Sequence, residues 1–189
     1  MKISALLALL LISCALAAPL AAQTRNVTDP QAPRSLETAN PVSVSWDDPA
    51  RFTEIRHSRN RWDAQRGDWV QRLAEHLQER ASEALPVGQR MQVRITDITR
   101  AGDYEPWHGM NLRDVRVMRD IYPPRLSLEF IRYDAAGQLI AQGKRDLADM
   151  GYLSGGSTLD SDPLRFEKRL IDDWIRRELR EEPRELGSR

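Results

Sequence analysis

Carboxylates and aromatic side chains gather in one short stretch near the middle of the sequence. Six residues form this group: Asp97, Asp103, Tyr104, Glu105, Trp107 and His108. Two carboxylates that share a pocket can divide the roles of general acid and general base, and an exposed tryptophan can stack on a sugar ring. Oxygen ligands alone would also suit calcium or magnesium. The stretch is therefore the candidate ligand-binding site.

Asp97 comes at the end of a strand-like pattern. Met91, Val93 and Ile95 alternate with polar residues, and continuing that period puts Asp97 on the inward face. A buried carboxylate without a partner is costly. Asp97 could be a ligand, or it could accept backbone N–H groups of the following loop or pair with an arginine such as Arg125. Because the chain has 25 arginines, the structural role is favoured.

The loop after this strand carries the aromatic members of the group. Tyr104, Trp107 and His108 lie between Gly102 and Gly109. Loops often carry binding residues, and exposed aromatics here could stack on the sugars of cell-wall glycan. The favoured alternative is that Trp107 pins the loop to the core.

Other familiar catalytic and metal-binding patterns are missing from the sequence. The histidines His57, His76 and His108 do not have the i, i+4 spacing of a helical zinc site. There is no Gly-x-Ser-x-Gly, Ser-x-x-Lys or glycine-rich phosphate loop. We therefore assign no catalytic residue, metal or cofactor, and favour a protein that is not an enzyme. With 28 basic and 28 acidic residues, the chain also offers no electrostatic reason to bind nucleic acid.

The N-terminus has the pattern of a secretory signal. Residues 1–22 combine a lysine at position 2 with an apolar, alanine-rich run, and predict cleavage after Ala22. A less favoured alternative is a lipoprotein signal, in which Cys14, the chain's single cysteine, would carry the lipid. Residues 23–41 are polar and proline-containing and predict a disordered leader. The expected location is the periplasm, with no transmembrane span once the signal is removed.

The remaining sequence predicts one domain over residues 42–182, followed by a flexible tail, residues 183–189. Strands are expected at 42–46, from 91 onward and as a hairpin at 126–147, with helices over 62–85 and from 162 onward. Residues 52–55 are expected to form an edge strand or a loop. Trp62, Trp69 and Trp174 are assigned to apolar helix faces and hence to the core. Short turns and only two helices favour a two-layer α+β fold, with an antiparallel or mixed sheet of about four strands and both helices on one face.

Several segments together resemble an uncharacterised exported proteobacterial family, domain of unknown function family 3016. The segments are Phe52-Thr53-Glu54-Ile55, Leu85-Pro86-Val87-Gly88-Gln89, Ile95-Thr96-Asp97-Ile98 with Ala101-Gly102, Val115-Arg116-Val117-Met118, Pro123-Pro124-Arg125, Asp149-Met150, and Phe166-Glu167-Lys168 leading to Trp174. The resemblance covers most of residues 42–174. It implies an exported, periplasmic protein and supplies no activity, ligand or catalytic residue.

Three functional hypotheses follow from these observations. The leading one is a non-enzymatic binding or interaction domain of the bacterial cell envelope, with an envelope protein or a cell-wall component as partner. The second is a glycan-acting or other hydrolase that uses Asp97, Asp103 or Glu105 as acid and base. The third is an outer-membrane lipoprotein anchored through Cys14.

Overall fold

The computed structural model describes residues 26–37, 41–109, 113–154 and 161–180, and for His108 and Arg180 it describes the backbone alone. The expected signal peptide, with Cys14 inside it, and the expected C-terminal tail lie outside these ranges. Among the described residues, none of the helices combines the length and the apolar character that crossing a membrane requires.

The described residues contain six strands and four α-helices. The strands are β1 (Val42–Trp46), β2 (Arg90–Thr99), β3 (Asp103–Tyr104), β4 (Arg116–Val117), β5 (Arg125–Tyr133) and β6 (Leu139–Ala148). The helices are α1 (Thr53–His57), α2 (Arg61–Gln65), α3 (Trp69–Ala84) and α4 (Arg165–Arg180). Four strands form a sheet in the order β1-β2-β5-β6, while β3 and β4 pair separately.

The four-stranded sheet is mixed because β1 and β2 run parallel whereas β5 is antiparallel to both β2 and β6. A parallel pair needs a long crossover connection, which here contains α1, α2 and α3. β5 and β6 are joined by a tight turn, in which Asp134 accepts from the backbone N–H of Gln138 at 2.7 Å and Gly137 has a φ of 80°. The predicted hairpin is confirmed.

The core lies between the sheet and the two long helices. Leu73 and Leu77 of α3 and Ile171 and Trp174 of α4 are buried against the apolar face of the sheet. Trp174 meets Phe130 of β5 edge-on, with the ring centroids 5.9 Å apart. The other face of the sheet is polar. The predicted two-layer α+β fold, with both long helices on one face, is confirmed.

The first long helix is shorter than the sequence pattern predicted. The expected helix over 62–85 is interrupted at Gly67, whose φ of 86° lies in the left-handed region. Because of this break, Trp62 belongs to α2 and is 66% exposed, whereas Trp69 at the start of α3 is buried. The assignment of Trp62 to the core is wrong, and the assignments of Trp69 and Trp174 are confirmed.

Residues 26–37 lie along the edge of the sheet, although the sequence predicted a disordered leader there. The N–H of Leu36 donates to the carbonyl of Val44 at 3.0 Å, and the N–H of Trp46 donates to the carbonyl of Arg34 at 2.9 Å. Val27 is buried. The segment has no apolar periodicity because backbone hydrogen bonds to β1, rather than a face of side chains, hold it in place.

Residues 53–57 form α1, so the expectation of an edge strand or loop at 52–55 is also wrong. Phe52 and Ile55 are both buried in the core. The two apolar residues are three positions apart, which places them on one side of a helical turn.

Candidate functional site

Asp97 does not point inward as the alternation predicted. The pairing of β2 with β5 shifts register between Ile95 and Asp97, and after this irregularity Ile98 takes the buried position. The Asp97 carboxylate accepts from the backbone N–H of Thr53 at 2.6 Å, from the Thr53 hydroxyl at 2.6 Å and from the N–H of Ile98 at 2.9 Å. It thus satisfies a backbone donor in the first turn of α1, which otherwise has no intrahelical acceptor.

Tyr104, rather than Trp107, pins the candidate loop to the domain. The Tyr104 side chain is 2% exposed, and its hydroxyl donates to a carboxylate oxygen of Asp63 in α2. The guanidinium of Arg116 lies 5.0 Å from the centre of the Tyr104 ring. Burial and the hydrogen bond to Asp63 raise the pKa of the Tyr104 phenol. The expectation that Trp107 anchors the loop is wrong, since Trp107 is 58% exposed.

The indole ring of Trp107 makes a cation–π contact with Arg59. Trp107 belongs to a short 3-10 turn, Pro106–His108, and the guanidinium of Arg59 lies 5.0 Å from the centre of the indole. Arg59 also forms an ion pair with Asp103. The described backbone places His108 in the same turn as Trp107.

Glu105 is buried beneath this loop with partners of its own. Its carboxylate is paired with Arg119 at 2.7 Å and accepts from the hydroxyl of Tyr122 at 3.0 Å. Burial and the neighbouring Glu105 carboxylate raise the pKa of the Tyr122 phenol. Glu105 therefore ties the loop to residues 119–122.

A buried ion cluster lies next to the loop, and sequence reasoning missed it. The cluster consists of Glu54 from α1, Arg100 at the end of β2 and Arg116 from β4. Glu54 accepts from the backbone N–H of Arg100 at 2.9 Å and from its Nε at 3.0 Å, and it forms a close ion pair with Arg116. Arg116 also donates to the carbonyls of Ala101 and Gly102.

The electrostatics of Arg116 show how tightly the cluster is bound. Burial favours loss of its proton, but the Glu54 carboxylate and the Tyr104 side chain together outweigh this effect, and the pKa of Arg116 is raised overall. A guanidinium that stays charged while buried needs such a fixed counter-charge. The ion cluster therefore joins α1, β2 and β4 through a single carboxylate.

A second buried carboxylate, Glu167 of α4, lies beside the ion cluster. It accepts from the backbone N–H of Ala101 at 2.6 Å, while its other oxygen, Oε2, makes no hydrogen bond within the described part of the chain. Burial raises the pKa of Glu167, and the hydrogen bond from the N–H of Ala101 and the charge of Arg100 oppose that rise only in part. Its neighbours in space, Tyr152 and Phe166, pack edge to face with centroids 4.8 Å apart.

A pocket of about 160 Å³ lies over the ion cluster. Its lining residues are Thr53, Glu54, His57, Ser58, Thr99, Gly102, Asp103, Arg116, Ile121, Tyr122, Pro123 and Arg125. Guanidinium, carboxylate, imidazole and hydroxyl groups thus converge on one small space. Pockets for whole ligands are typically larger, so this one fits a single polar group of a larger molecule.

Asp103 alone among the six predicted site residues lines this pocket. Asp97 caps α1 through Thr53, and Glu105 is engaged with Arg119 and Tyr122. The pocket therefore does not bring the three predicted carboxylates together, and the second carboxylate that lines it beside Asp103 is Glu54. Among the described residues, no group of three or more histidine, cysteine, aspartate or glutamate side chains is arranged to hold a metal ion.

These features define a single α+β domain that carries a small polar pocket over a buried ion cluster. The chain belongs to the DUF3016 family, described as a protein of unknown function: the family model matches residues 40–177, more than half of the sequence. Comparison with curated proteins found no match, and comparison with solved structures found none either. The family description assigns no activity.

Proposed function

We propose that this chain is an exported, periplasmic binding domain of the cell envelope, and that it binds glycan through Trp107 and the adjoining pocket. The observation that carries the proposal is the exposure of Trp107, a residue that is 58% exposed although the loop around it is anchored. An indole on a fixed loop is a typical platform for a sugar ring, because its apolar face packs against the ring's C–H groups.

The contacts around Trp107 connect this platform to the pocket. Arg59 lies on the indole and forms an ion pair with Asp103, which lines the pocket. A sugar ring stacked on Trp107 would therefore lie close to the charged groups of Arg59 and Asp103, which can hydrogen-bond to it. The hydroxyl or acetamido group of such a ligand would suit the polar lining and the small volume of the pocket.

Export is supported by the N-terminal sequence. Residues 1–22 have the length, the alanine-rich end and the polar boundary of a secretory signal. Attachment of lipid to Cys14 is the alternative form of the same proposal, and metabolic labelling with a palmitate analogue separates the two. A label that persists in Cys14→Ala would exclude the anchor at Cys14.

The direct test is binding of a defined glycan to the purified protein. We would measure affinity for soluble N-acetylglucosamine oligomers and for muramidase-released peptidoglycan fragments by calorimetry. Trp107→Ala is expected to weaken binding by roughly tenfold or more, because a stacked aromatic is a typical centre of binding energy. Absence of binding to both glycans would contradict the proposal.

Trp62→Ala is a closely matched control. Trp62 is also exposed and also carries an arginine, Arg66, whose guanidinium lies 4.5 Å from its ring centre. The ring of Trp62 is in contact with Arg66, whereas the ring of Trp107 is in contact with Arg59, which pairs with the pocket residue Asp103, so the Trp62 variant should bind as the wild type does. An equal loss in both variants would mean that the chain binds through exposed aromatics in general. Cleavage of the glycan during incubation would instead favour the hydrolase hypothesis.

A further inference from the structure

A second and larger cavity lies between residues 26–37 and the first three turns of α3. It is a groove of about 1020 Å³, within the size range of sites that take substantial ligands. Buried or partly buried apolar side chains form its floor: Val27, Leu36, Trp46 and Val70. The groove is therefore large enough and apolar enough to bind more than solvent.

Acidic side chains surround this apolar floor. Four carboxylates line the groove: Asp29, Glu37, Asp68 and Glu75. Among the described residues that line it, Arg34 is the single lysine or arginine. The Arg34 guanidinium is already engaged, since it donates to the carbonyls of Val27 and Asp29 and pairs with Asp48 at 3.2 Å. The groove is thus negative although the whole chain has no net charge.

Residues 26–37 form the wall of the groove opposite α3, and hydrogen bonds fix this segment in place. The N–H of Val27 donates to the carbonyl of Gln65 at 2.9 Å, which fixes one end of the segment, and the bonds of Arg34 and Leu36 to β1 fix the other. Between them, Arg34 bridges two carbonyls of the segment itself. Compact surface loops whose two ends are fixed to the rest of the domain are frequently functional. The groove is preformed, which lowers the entropic cost of binding.

The length of the groove indicates the shape of its ligand. The N-cap and helical residues that line it run from Asp68 to Gln78, which corresponds to roughly 15 Å of helix. An extended polypeptide covers that distance with about five residues. Apolar side chains of such a segment would reach the floor, while basic side chains between them would reach the rim.

From this geometry we propose that the groove binds a short extended peptide segment in which lysine or arginine alternates with apolar residues. This site is separate from the glycan site proposed above and does not depend on it. Its ligand is a basic segment of another protein, recognised by charge at the rim and by apolar burial at the floor.

The test uses the purified protein produced from the complete sequence and a fluorescein-labelled hexapeptide of alternating lysine and leucine, with binding followed by fluorescence anisotropy. Two comparison peptides replace either all lysines by glutamate or all leucines by serine. We expect the lysine–leucine peptide to bind best, because it alone satisfies both the rim and the floor. No binding of this peptide, or equal binding of the glutamate–leucine peptide, would overturn the proposal.

Variants then locate the binding site. The double variant Glu37→Gln/Glu75→Gln should weaken binding by roughly fivefold at low ionic strength, and the effect should shrink as salt is added. Ala32→Trp, which places a large ring inside the groove, should weaken binding at all salt concentrations. The matched control is Glu79→Gln/Glu83→Gln, which removes the same amount of charge from residues of α3 that do not line the groove.

Each outcome of the variant series decides the proposal. Loss in the groove variants together with unchanged binding in the control supports it. Equal loss in the control would show a general attraction of the basic peptide to acidic side chains, and would overturn it. Binding of spermine with the affinity of the peptide would likewise overturn it, because a polyamine has no side chains to reach the apolar floor.

Discussion

The hydroxyl of Tyr104 donates to the carboxylate of Asp63, 41 residues earlier in the chain. This bond joins the two-stranded sheet to α2. The guanidinium of Arg116 packs against the ring of the same tyrosine. The loop that carries Trp107 is therefore fixed at its base by a buried tyrosine. Because the anchor is Tyr104, Trp107 three residues later is 58% exposed and is not part of the core packing.

Tyr104→Phe should destabilise the domain while leaving the ring and its contact with Arg116 in place. A hydrogen bond to a charged acceptor is worth about 2 kcal/mol, and the loss also leaves the Asp63 carboxylate without this donor. Urea denaturation should show a lower midpoint with an unchanged slope. Tyr133→Phe, which removes a hydroxyl from a half-buried tyrosine of the main sheet, should change the free energy of unfolding by less than about 0.5 kcal/mol. Equal effects in the two variants would contradict the anchoring role.

Glu54→Gln should be more damaging, because it removes the single carboxylate that joins Arg100 and Arg116. Breaking a buried ion pair from one side costs about 3 kcal/mol or more, since the remaining charge is left without a partner. The side chains of Arg100 and Arg116 are only 15% and 16% exposed, so water can replace little of the lost interaction. The measurement is the free energy of unfolding from urea titration.

Glu83→Gln is the control for this second prediction. Glu83 forms an exposed ion pair with Arg80 one turn earlier on α3, and exposed pairs contribute little to stability. Its removal should leave the unfolding midpoint close to that of the wild type. A Glu54→Gln protein as stable as the wild type would mean that the two arginines find other acceptors.

The sequence was sufficient to predict the main architecture. Alternation at β1, β2 and the β5–β6 hairpin, together with the apolar face of α4, led to the correct α+β fold because each pattern has the period of the element that forms. The break between α2 and α3 was harder to see. Trp62 and Trp69 are seven residues apart, which continues a helical face, and only Gly67 between them signals the interruption.

Asp97 shows why a candidate site is harder to predict than a strand. Strict alternation places it inward, but a single irregularity between Ile95 and Asp97 reverses the face of every later residue in β2. No residue type in this stretch announces that irregularity. The partner of Asp97, Thr53, lies 44 residues earlier, a separation that no local pattern encodes.

The ion cluster was missed for the same reason, because its three residues come from α1, from the residue after β2 and from β4. One neighbour did carry a usable signal. Glu167 lies three and four residues before Leu170 and Ile171, on the apolar face of α4, so the helical period alone places a carboxylate in the core. A charged residue on such a face indicates either a buried partner or a shifted pKa.

Glu167 leads to a prediction about pH. Because burial raises its pKa in the folded protein, the folded state binds a proton more tightly than the unfolded state does. The free energy of unfolding contributed by this group should therefore fall as the pH rises from about 4.3, the usual pKa of glutamate, to the raised pKa of the folded state. Above the raised pKa, Glu167 is ionised in both states, and the full cost of burying its charge lowers the free energy of unfolding.

Glu167→Gln should remove this cost. The glutamine can still accept from the N–H of Ala101, and it never ionises, so the variant should be more stable than the wild type at neutral pH and close to it near pH 4. Urea titrations between pH 4 and pH 8 give the free energy of unfolding of both proteins. All other carboxylates titrate equally in the two, so their contribution cancels in the difference between the two free energies. If the difference between the two proteins is instead the same at every pH, the pKa of Glu167 does not differ between the folded and unfolded states, and burial does not control its protonation.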